Sequence, residues 1–78
     1  MGTNGISIDA GFTTPDVDEA RVKREAVGHA YISYVLADHS KFGQVSSVTF
    51  ADITACCIIT DKDVNKTYHG KTIIKVVS

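Results

Sequence analysis

The sequence lacks the marks of a membrane protein and of a DNA-binding module. No apolar run approaches the roughly 20 residues that a membrane-spanning helix needs, and the start does not combine positive charge with an apolar core, as a signal peptide would. Basic residues are few and scattered: eight Lys and Arg stand among nine Asp and Glu, which gives a formal net charge of −1. Nucleic-acid-binding modules carry clustered basic residues. We therefore expect a cytoplasmic protein that contacts neither membrane nor DNA through this part of its chain.

Cysteine is also scarce, and its placement argues against a disulfide or a metal site. The only two cysteines, Cys56 and Cys57, are adjacent. Neighbouring cysteines seldom pair with each other, and they lack the spacing of a zinc knuckle. His29 and His69 are far apart and match no metal-ligand spacing. The sequence predicts no metal and no cofactor, and two free thiols beside a buried strand, in keeping with a reducing cytosol.

The composition that remains is that of an ordinary globular protein. Apolar residues make up 44% of the chain and charged residues 22%, both usual values. The length of 78 residues fits one domain, or part of one. A chain of this size buries only about 60% of the surface that its unfolded form exposes, so we expect marginal stability.

One helix is well marked, over residues 15–29. Thr14 is expected to cap it and Pro15 to occupy its first position, and acidic residues follow in the first turn, where they complement the helix dipole. Glu19 and Lys23 are four residues apart and are expected to form an ion pair. The basic side chains of this helix are expected to form a solvated face.

The remaining pattern is one of short β-branched or apolar runs separated by polar loops, which is typical of strands. Strands are predicted at residues 32–37, 47–50, 57–60 and 72–77, with a brief strand at residues 6–8, a helical turn at residues 52–55, and a loop or short helix at residues 61–70. Strands that alternate with a helix favour the α/β class. We predict a partial Rossmann-like fold with a mostly parallel sheet.

The first candidate for a binding site is the segment of residues 38–43, called here the lysine loop. It follows a short apolar run and contains Asp38, Ser40 and Lys41 before Gly43. Ligands of open α/β sheets bind outside the carboxyl ends of the strands, and lysine is a common phosphate ligand. The alternatives are a solvated surface lysine and, for Asp38 and Ser40, residues that only close a turn.

The second candidate is the segment of residues 2–5, called here the glycine loop, with Gly2, Asn4 and Gly5. Glycines let backbone N–H groups approach a ligand, and successive N–H groups can form an anion-binding nest. A loop with two glycines is more often a simple turn.

These segments, together with residues 11–16 and 59–61, resemble the C-terminal effector-sensing domain of the DeoR family, bacterial repressors of sugar catabolism. The resemblance covers residues 1–61 in order and with natural spacing. It implies a fold of the ribose-5-phosphate-isomerase type and a phosphorylated sugar as effector. On this resemblance Gly2, Asn4, Gly5, Asp38, Ser40 and Lys41 are the predicted effector-binding residues.

The resemblance leaves open whether the chain is a sensor or a piece of an enzyme. An aldose–ketose isomerase needs a general base beside the substrate carbon, and the acidic and glycine-rich motif of that enzyme has no counterpart here. Asp9 and Asp61 are the only carboxylates at loop ends that could replace it, and neither has suitable neighbours. A sensor is therefore the first hypothesis and an isomerase-like fragment the second. A third is a truncated domain without activity of its own, which is compatible with the first.

The chain itself is expected to be the C-terminal part of a longer regulator. In the DeoR family an apolar strand, the other half of the sensing domain and a winged helix-turn-helix precede a segment similar to the glycine loop. We expect DNA contact only through that missing region, and we expect an open sheet edge that favours a homo-oligomer. The combined motifs are most similar to regulators of fructose or lactose phosphotransferase operons, with fructose 1-phosphate or tagatose 6-phosphate as expected inducers.

Overall fold

Two helices and six strands make up the fold, in a computed structural model that describes residues 1–77. In chain order they are β1 (Gly5–Ser7), β2 (Gly11–Thr14), α1 (Val17–His29), β3 (Tyr34–Leu36), β4 (Val48–Ala51), β5 (Cys57–Thr60), α2 (Lys66–His69) and β6 (Ile74–Val76). Short 3-10 helices form at His39–Lys41 and at Ile53–Ala55. No helix within residues 1–77 combines the length and the apolar character that a bilayer crossing requires.

The strands form two sheets, so the α/β class is confirmed but the expectation of one mostly parallel sheet needs correction. The first sheet has the order β1-β2-β4 and is antiparallel throughout. The second has the order β3-β5-β6 and is parallel. The antiparallel sheet arises because β1 and β2 are joined by a short turn, where Gly11 adopts a left-handed φ of 75° that suits glycine.

Strand β2 was not predicted, and the cap of α1 was assigned to the wrong residue. Thr14 belongs to β2 and is fully buried. Asp16 caps α1 instead, because its carboxylate accepts from the backbone N–H groups of Asp18 at 2.8 Å and Glu19 at 3.3 Å. Pro15 therefore precedes the helix rather than starting it.

The parallel sheet confirms the predicted strands, with shorter bounds at two of them. Strand β5 is the central strand and has the predicted bounds, Cys57–Thr60. Strands β3 and β6 are each shorter than the runs predicted for them. The residues predicted as a helical turn form the 3-10 helix Ile53–Ala55, which Asp52 caps.

The core lies between the two sheets and under α1. Phe12 of β2 and Phe50 of β4 pack with ring centroids 6.1 Å apart. Ile6, Val35 and Ile58 are completely buried in the same cluster. Helix α1 contributes a single fully buried residue, Ala20, so most of that helix faces solvent.

The first residues of the chain connect the two sheets. The carbonyl of Met1 accepts from the N–H of Leu36 at 2.8 Å, beside β3. A few residues later the same segment becomes β1 of the antiparallel sheet. This segment covers the outer edge of β3, whereas β6 pairs on one side only within residues 1–77.

Candidate functional site

The glycine loop and the lysine loop lie side by side at the carboxyl end of the parallel sheet. Gly2 pairs with Leu36 just before the lysine loop, and Ile6 pairs with Phe42 near its end, both in the parallel direction. Between these two points both segments leave the sheet together. The structure therefore brings together the two segments that the sequence predicts as one site.

Asp38 and Ser40 are engaged with each other in the closing of the lysine loop. The Asp38 carboxylate accepts from the Ser40 backbone N–H at 2.9 Å and also from the Ser40 hydroxyl. These two hydrogen bonds, the hydroxyl one first, lower the pKa of Asp38 below its usual value. The Ser40 hydroxyl donates to Asp38, so it presents only lone pairs to a ligand.

Lys41 is the cation of this site. Its side chain is half-buried, and within residues 1–77 its ammonium forms no ion pair and no hydrogen bond. The charge of Lys41 contributes to the lowered pKa of Asp38, so the two groups lie near each other. An ammonium held close to the protein without a partner is suited to bind an anion.

The lysine loop is fixed at its far end by aromatic packing and by a backbone hydrogen bond. Phe42 meets Tyr68 of α2 edge to face, with ring centroids 4.9 Å apart. The N–H of Gly43 donates to the carbonyl of Ile6 at 2.7 Å. Gly43 has a φ of 88°, which ends the loop with a conformation that glycine adopts readily.

A second anchor comes from Asp61, directly after β5. Its carboxylate accepts from the backbone N–H of His39 at 2.7 Å and lies 3.0 Å from the Nδ1 atom of the same residue. The hydrogen bond from the His39 ring, followed by that from its N–H, lowers the pKa of Asp61 to about 2. The sequence did not predict this contact.

The two glycines of the glycine loop have different surroundings. Gly5 is buried, and a Cβ atom there would lie 2.2 Å from the Gln44 carbonyl oxygen and 2.7 Å from Oγ1 of Thr13. Gly2 is exposed, with nothing within 4 Å of a Cβ atom. Gly5 thus permits close packing of two chain segments, whereas Gly2 and the exposed Asn4 border open space.

Polar contacts inside the protein hold the glycine loop in place. The carbonyl of Thr13 accepts from the Asn4 N–H and from the Thr3 hydroxyl, both at 3.0 Å. The buried Thr13 hydroxyl in turn accepts from the N–H of Ser46 at 2.9 Å. One threonine of β2 therefore fixes the glycine loop on one side and the chain after the lysine loop on the other.

Comparison with known proteins identifies the family. Residues 1–62 match the model of the family described as DeoR C terminal sensor domain. The chain belongs to this family. The match covers both loops and all the predicted effector-binding residues.

Three regulators are similar to the chain over most of its length. An uncharacterized HTH-type transcriptional regulator FruR of Bacillus subtilis is 50% identical over 99% of the chain, and the HTH-type transcriptional regulator IolR of the same species is 33% identical over 87%. The HTH-type transcriptional regulator GlpR of Haloferax volcanii is 43% identical over 68%. The chain spans 32%, 28% and 21% of these proteins' own lengths, in the same order.

In this member of the DeoR sensor family, α1 takes part in the site through Lys23. Only 16% of the Lys23 side chain is exposed, and its ammonium lies 2.8 Å from the Glu19 carboxylate, as the spacing predicted. It also donates to the Gly2 carbonyl at 2.8 Å and lies 5.3 Å from the centre of the Phe50 ring. The expectation of a purely solvated basic face was therefore wrong at Lys23. Helical periodicity identified its partner within the helix but not the contact to Gly2.

A depression on the surface lies elsewhere, at the amino end of the parallel sheet. It encloses about 300 Å³, and its lining includes Tyr31, Cys57, Lys71 and Thr72. The Thr72 hydroxyl donates to the carbonyl of Cys56, so it is already satisfied. We place the candidate site at the carboxyl end rather than in this depression, because Lys41, a half-buried cation without a partner among residues 1–77, lies at that end.

The described residues show no metal-binding arrangement. Among residues 1–77 no group of three His, Cys, Asp or Glu side chains is placed to hold an ion. Cys56 and Cys57 are both free thiols. Burial and the neighbouring Cys57 raise the pKa of Cys56, which keeps this thiol protonated and unreactive at neutral pH.

Proposed function

We propose that this chain is the effector-binding part of a DeoR-type transcriptional repressor of sugar catabolism, and that a phosphorylated sugar binds between the glycine loop and the lysine loop. Membership in the sensor-domain family supports an effector-binding role. The observation that carries the ligand class is Lys41, a half-buried ammonium without a partner in the described residues, beside two loops that meet at the end of a parallel sheet. Such a cation suits a phosphate.

Each predicted effector-binding residue is proposed to have its own role in binding. Lys41 contacts the phosphate, and the backbone around Gly2, which is open on the outside, offers it N–H groups. Asn4, also exposed, and the outer oxygen of Asp38 bind sugar hydroxyls. Gly5 and Ser40 shape the loops, since Gly5 is packed against Gln44 and Ser40 donates to Asp38.

The intact regulator is proposed to bind DNA through a separate N-terminal helix-turn-helix and to be controlled by the effector bound here. The similar proteins carry the designation HTH-type transcriptional regulator, and each is about three times or more as long as the matched segment. A regulator of this kind acts in the cytoplasm. We also propose a homo-oligomer, for which the one-sided pairing of β6 offers an edge; a mass from light scattering equal to that of one chain at all concentrations would contradict it.

The effector is proposed to be a ketose phosphate that induces a fructose or lactose phosphotransferase operon. Fructose 1-phosphate and tagatose 6-phosphate are the two compounds to test. Both carry one phosphate and several hydroxyls, which matches one cation flanked by polar groups.

An isomerase-like enzyme is the second and weaker hypothesis for the same site. A general base works best with a pKa near the operating pH. The pKa values of the carboxylates at this end of the sheet are lowered instead of raised towards neutral pH. Hydrogen bonds from Ser40 lower the pKa of Asp38, and hydrogen bonds from His39 lower that of Asp61. Both are also engaged in hydrogen bonds within the protein. The similar proteins are regulators, which also argues against an enzyme.

The test is a thermal-shift screen of this chain against the two ketose phosphates and their unphosphorylated sugars. A ligand that binds only the native state increases the free energy of unfolding, by about 2.7 kcal/mol when its concentration is a hundred times Kd. The melting temperature rises as a result. We expect a shift with one phosphosugar and none with its parent sugar. Lys41→Ala is expected to abolish the shift and to leave the melting temperature of the free protein unchanged.

Lys71→Ala is the matched control, because Lys71 is an exposed lysine of the depression at the opposite end of the sheet. It is expected to bind the phosphosugar as the wild type does. Loss of binding in Lys71→Ala with retention in Lys41→Ala would move the site to that depression and overturn the assignment of the lysine loop. Turnover of bound tagatose 6-phosphate to an aldose 6-phosphate would favour the enzyme.

A further inference from the structure

His39 lies inside the lysine loop, but its orientation is set from another strand. Asp61 follows β5, the neighbour of β3, and accepts from both the backbone N–H and the ring of His39. The side chains are about half exposed, 48% for His39 and 46% for Asp61. Within residues 1–77 the Nε2 atom of His39 has no hydrogen-bond partner.

The contact with Asp61 fixes the proton on Nδ1 of His39 and so determines whether Nε2 accepts or donates a hydrogen bond. A carboxylate accepts but does not donate, so Nδ1 of His39 carries a proton. In the neutral ring Nε2 is then an acceptor, which repels a phosphate oxygen. When the ring gains a second proton, Nε2 becomes a charged donor, which is a strong phosphate ligand. Asp61 stays ionised through the neutral range because the His39 hydrogen bonds hold its pKa at about 2.

We propose that His39 is a second effector contact, donating from Nε2 to the phosphate of the sugar when its ring is protonated, and that Asp61 is the residue that positions it. The inference rests on the proposed function of the lysine loop. It assigns a pH dependence to that function: effector affinity rises as the pH falls, because the charged ring is the better phosphate ligand.

The charges that face the ring come from two elements. Asp61 approaches from the end of β5, and Asp38 and Lys41 belong to the same loop as His39. The lowered pKa values of Asp38 and Asp61 keep both carboxylates ionised over the range of the test. The sugar phosphate has its own second ionisation near pH 6, and loss of that charge works against binding. A comparison between variants at each pH removes this contribution of the ligand.

Two substitutions distinguish the roles of the two ring nitrogens of His39. His39→Asn places an amide nitrogen near the position of Nδ1, keeps a donor for Asp61 and removes Nε2. His39→Gln extends an amide N–H towards the position of Nε2 and does not titrate. Titration calorimetry with fructose 1-phosphate and tagatose 6-phosphate compares the affinities of the variants from about pH 8.5 to about pH 5.5.

At the acidic end we expect His39→Asn to bind about tenfold more weakly than the wild type, which is the size of one charge-assisted hydrogen bond. At the alkaline end the two are expected to bind alike. His39→Gln is expected to differ from His39→Asn by the same factor at every pH. Parallel affinity curves for the wild type and His39→Asn would overturn the proposal.

The positioning role has its own test. Asp61→Asn keeps an acceptor for the His39 N–H but removes the charge that fixes the ring, so it is expected to flatten the pH dependence as His39→Asn does. Because Asp61 acts through His39, the double variant is expected to bind no more weakly than His39→Asn alone. Additive losses would show that Asp61 acts by another route and would overturn its role.

The outcomes distinguish this inference from the function on which it rests. If the wild type binds and Lys41→Ala does not, while His39→Asn follows the wild type at every pH, the site stands and the role of His39 is wrong. If Lys41→Ala binds as well as the wild type, or neither phosphosugar binds the wild type, both are wrong.

Discussion

The two sheets differ in how completely they are enclosed. All four residues of β2, at the centre of the antiparallel sheet, are buried, and α1 packs across β2 and β4. In β3 of the parallel sheet only the middle residue, Val35, is buried. Its neighbours Tyr34 and Leu36 are 48% and 58% exposed. The antiparallel half supplies stability, and the parallel half carries the candidate site together with an apolar face that has no cover within the described residues.

The largest effect should come from a cavity in the enclosed half. Phe12 is completely buried and packs against Phe50, so Phe12→Ala is expected to cost about 3–5 kcal/mol of unfolding free energy. That is a large share of the stability of a small domain. Urea denaturation followed by circular dichroism measures the loss.

Leu36→Ala on the open face is the matched control for that experiment. An exposed site should change stability by less than about 0.5 kcal/mol. A loss at Leu36 as large as that at Phe12 would mean that the open face is covered in solution, and the contrast between the two sheets would fail.

The next effect separates the two glycines. Gly5→Ala drives a Cβ atom against the Gln44 carbonyl, and such overpacking costs about 1–3 kcal/mol. Gly2→Ala meets nothing within 4 Å and should leave the melting temperature unchanged, so any loss that it causes should appear in phosphosugar binding alone. Equal melting temperatures for the two variants would show that Gly5 is not tightly packed.

A smaller effect is expected where α1 reaches across to the parallel half. Lys23→Met keeps an apolar stem over Phe50 but removes the hydrogen bond to the Gly2 carbonyl and the partner of Glu19. We expect a loss of about 1 kcal/mol, measured by thermal unfolding. Arg21→Met, on an exposed position of the same helix, is the control, and an equal loss there would argue against a specific role for Lys23.

The smallest effect is a pH dependence confined to the parallel half. The His39 hydrogen bonds lower the pKa of Asp61 from its ordinary 3.8 to about 2 in the folded protein. The folded state therefore binds this proton less readily, so the contribution of Asp61 to stability is present above about pH 4 and is lost as the pH falls through about 2. Melting temperatures of the wild type and Asp61→Asn should differ at neutral pH and converge in acid. A constant difference would contradict the linkage.

Local patterns predicted the parallel half better than the antiparallel half. The β-branched runs of β5 and β6 are signals that a few neighbouring residues carry, and the structure has both strands. Strand β2 was missed because its two threonines and the following Pro15 are equally typical of a helix start. Their burial depends on distant partners, such as the Ser46 N–H that donates to Thr13.

The prediction of the candidate site has the same limit, because it missed a contact between residues that are far apart in the sequence. From the resemblance to the DeoR family, the sequence predicted that the glycine and lysine loops form one site, and the two loops lie side by side in the structure. It did not predict the contact between His39 and Asp61, which are 22 residues apart. A usable signal existed, since each follows a strand that was predicted for the same parallel sheet, and the carboxyl ends of such strands share an edge.

The opening segment of the chain belongs to both halves. Met1 pairs beside β3, and a few residues later the same backbone is β1 of the antiparallel sheet, with the glycine loop between the two attachments. The glycine loop is thus a joint, tied at one end to the enclosed half and at the other to the open half. The proposed effector, in contact with Asn4, would bind to this joint, and we expect its binding to change the orientation of one sheet relative to the other.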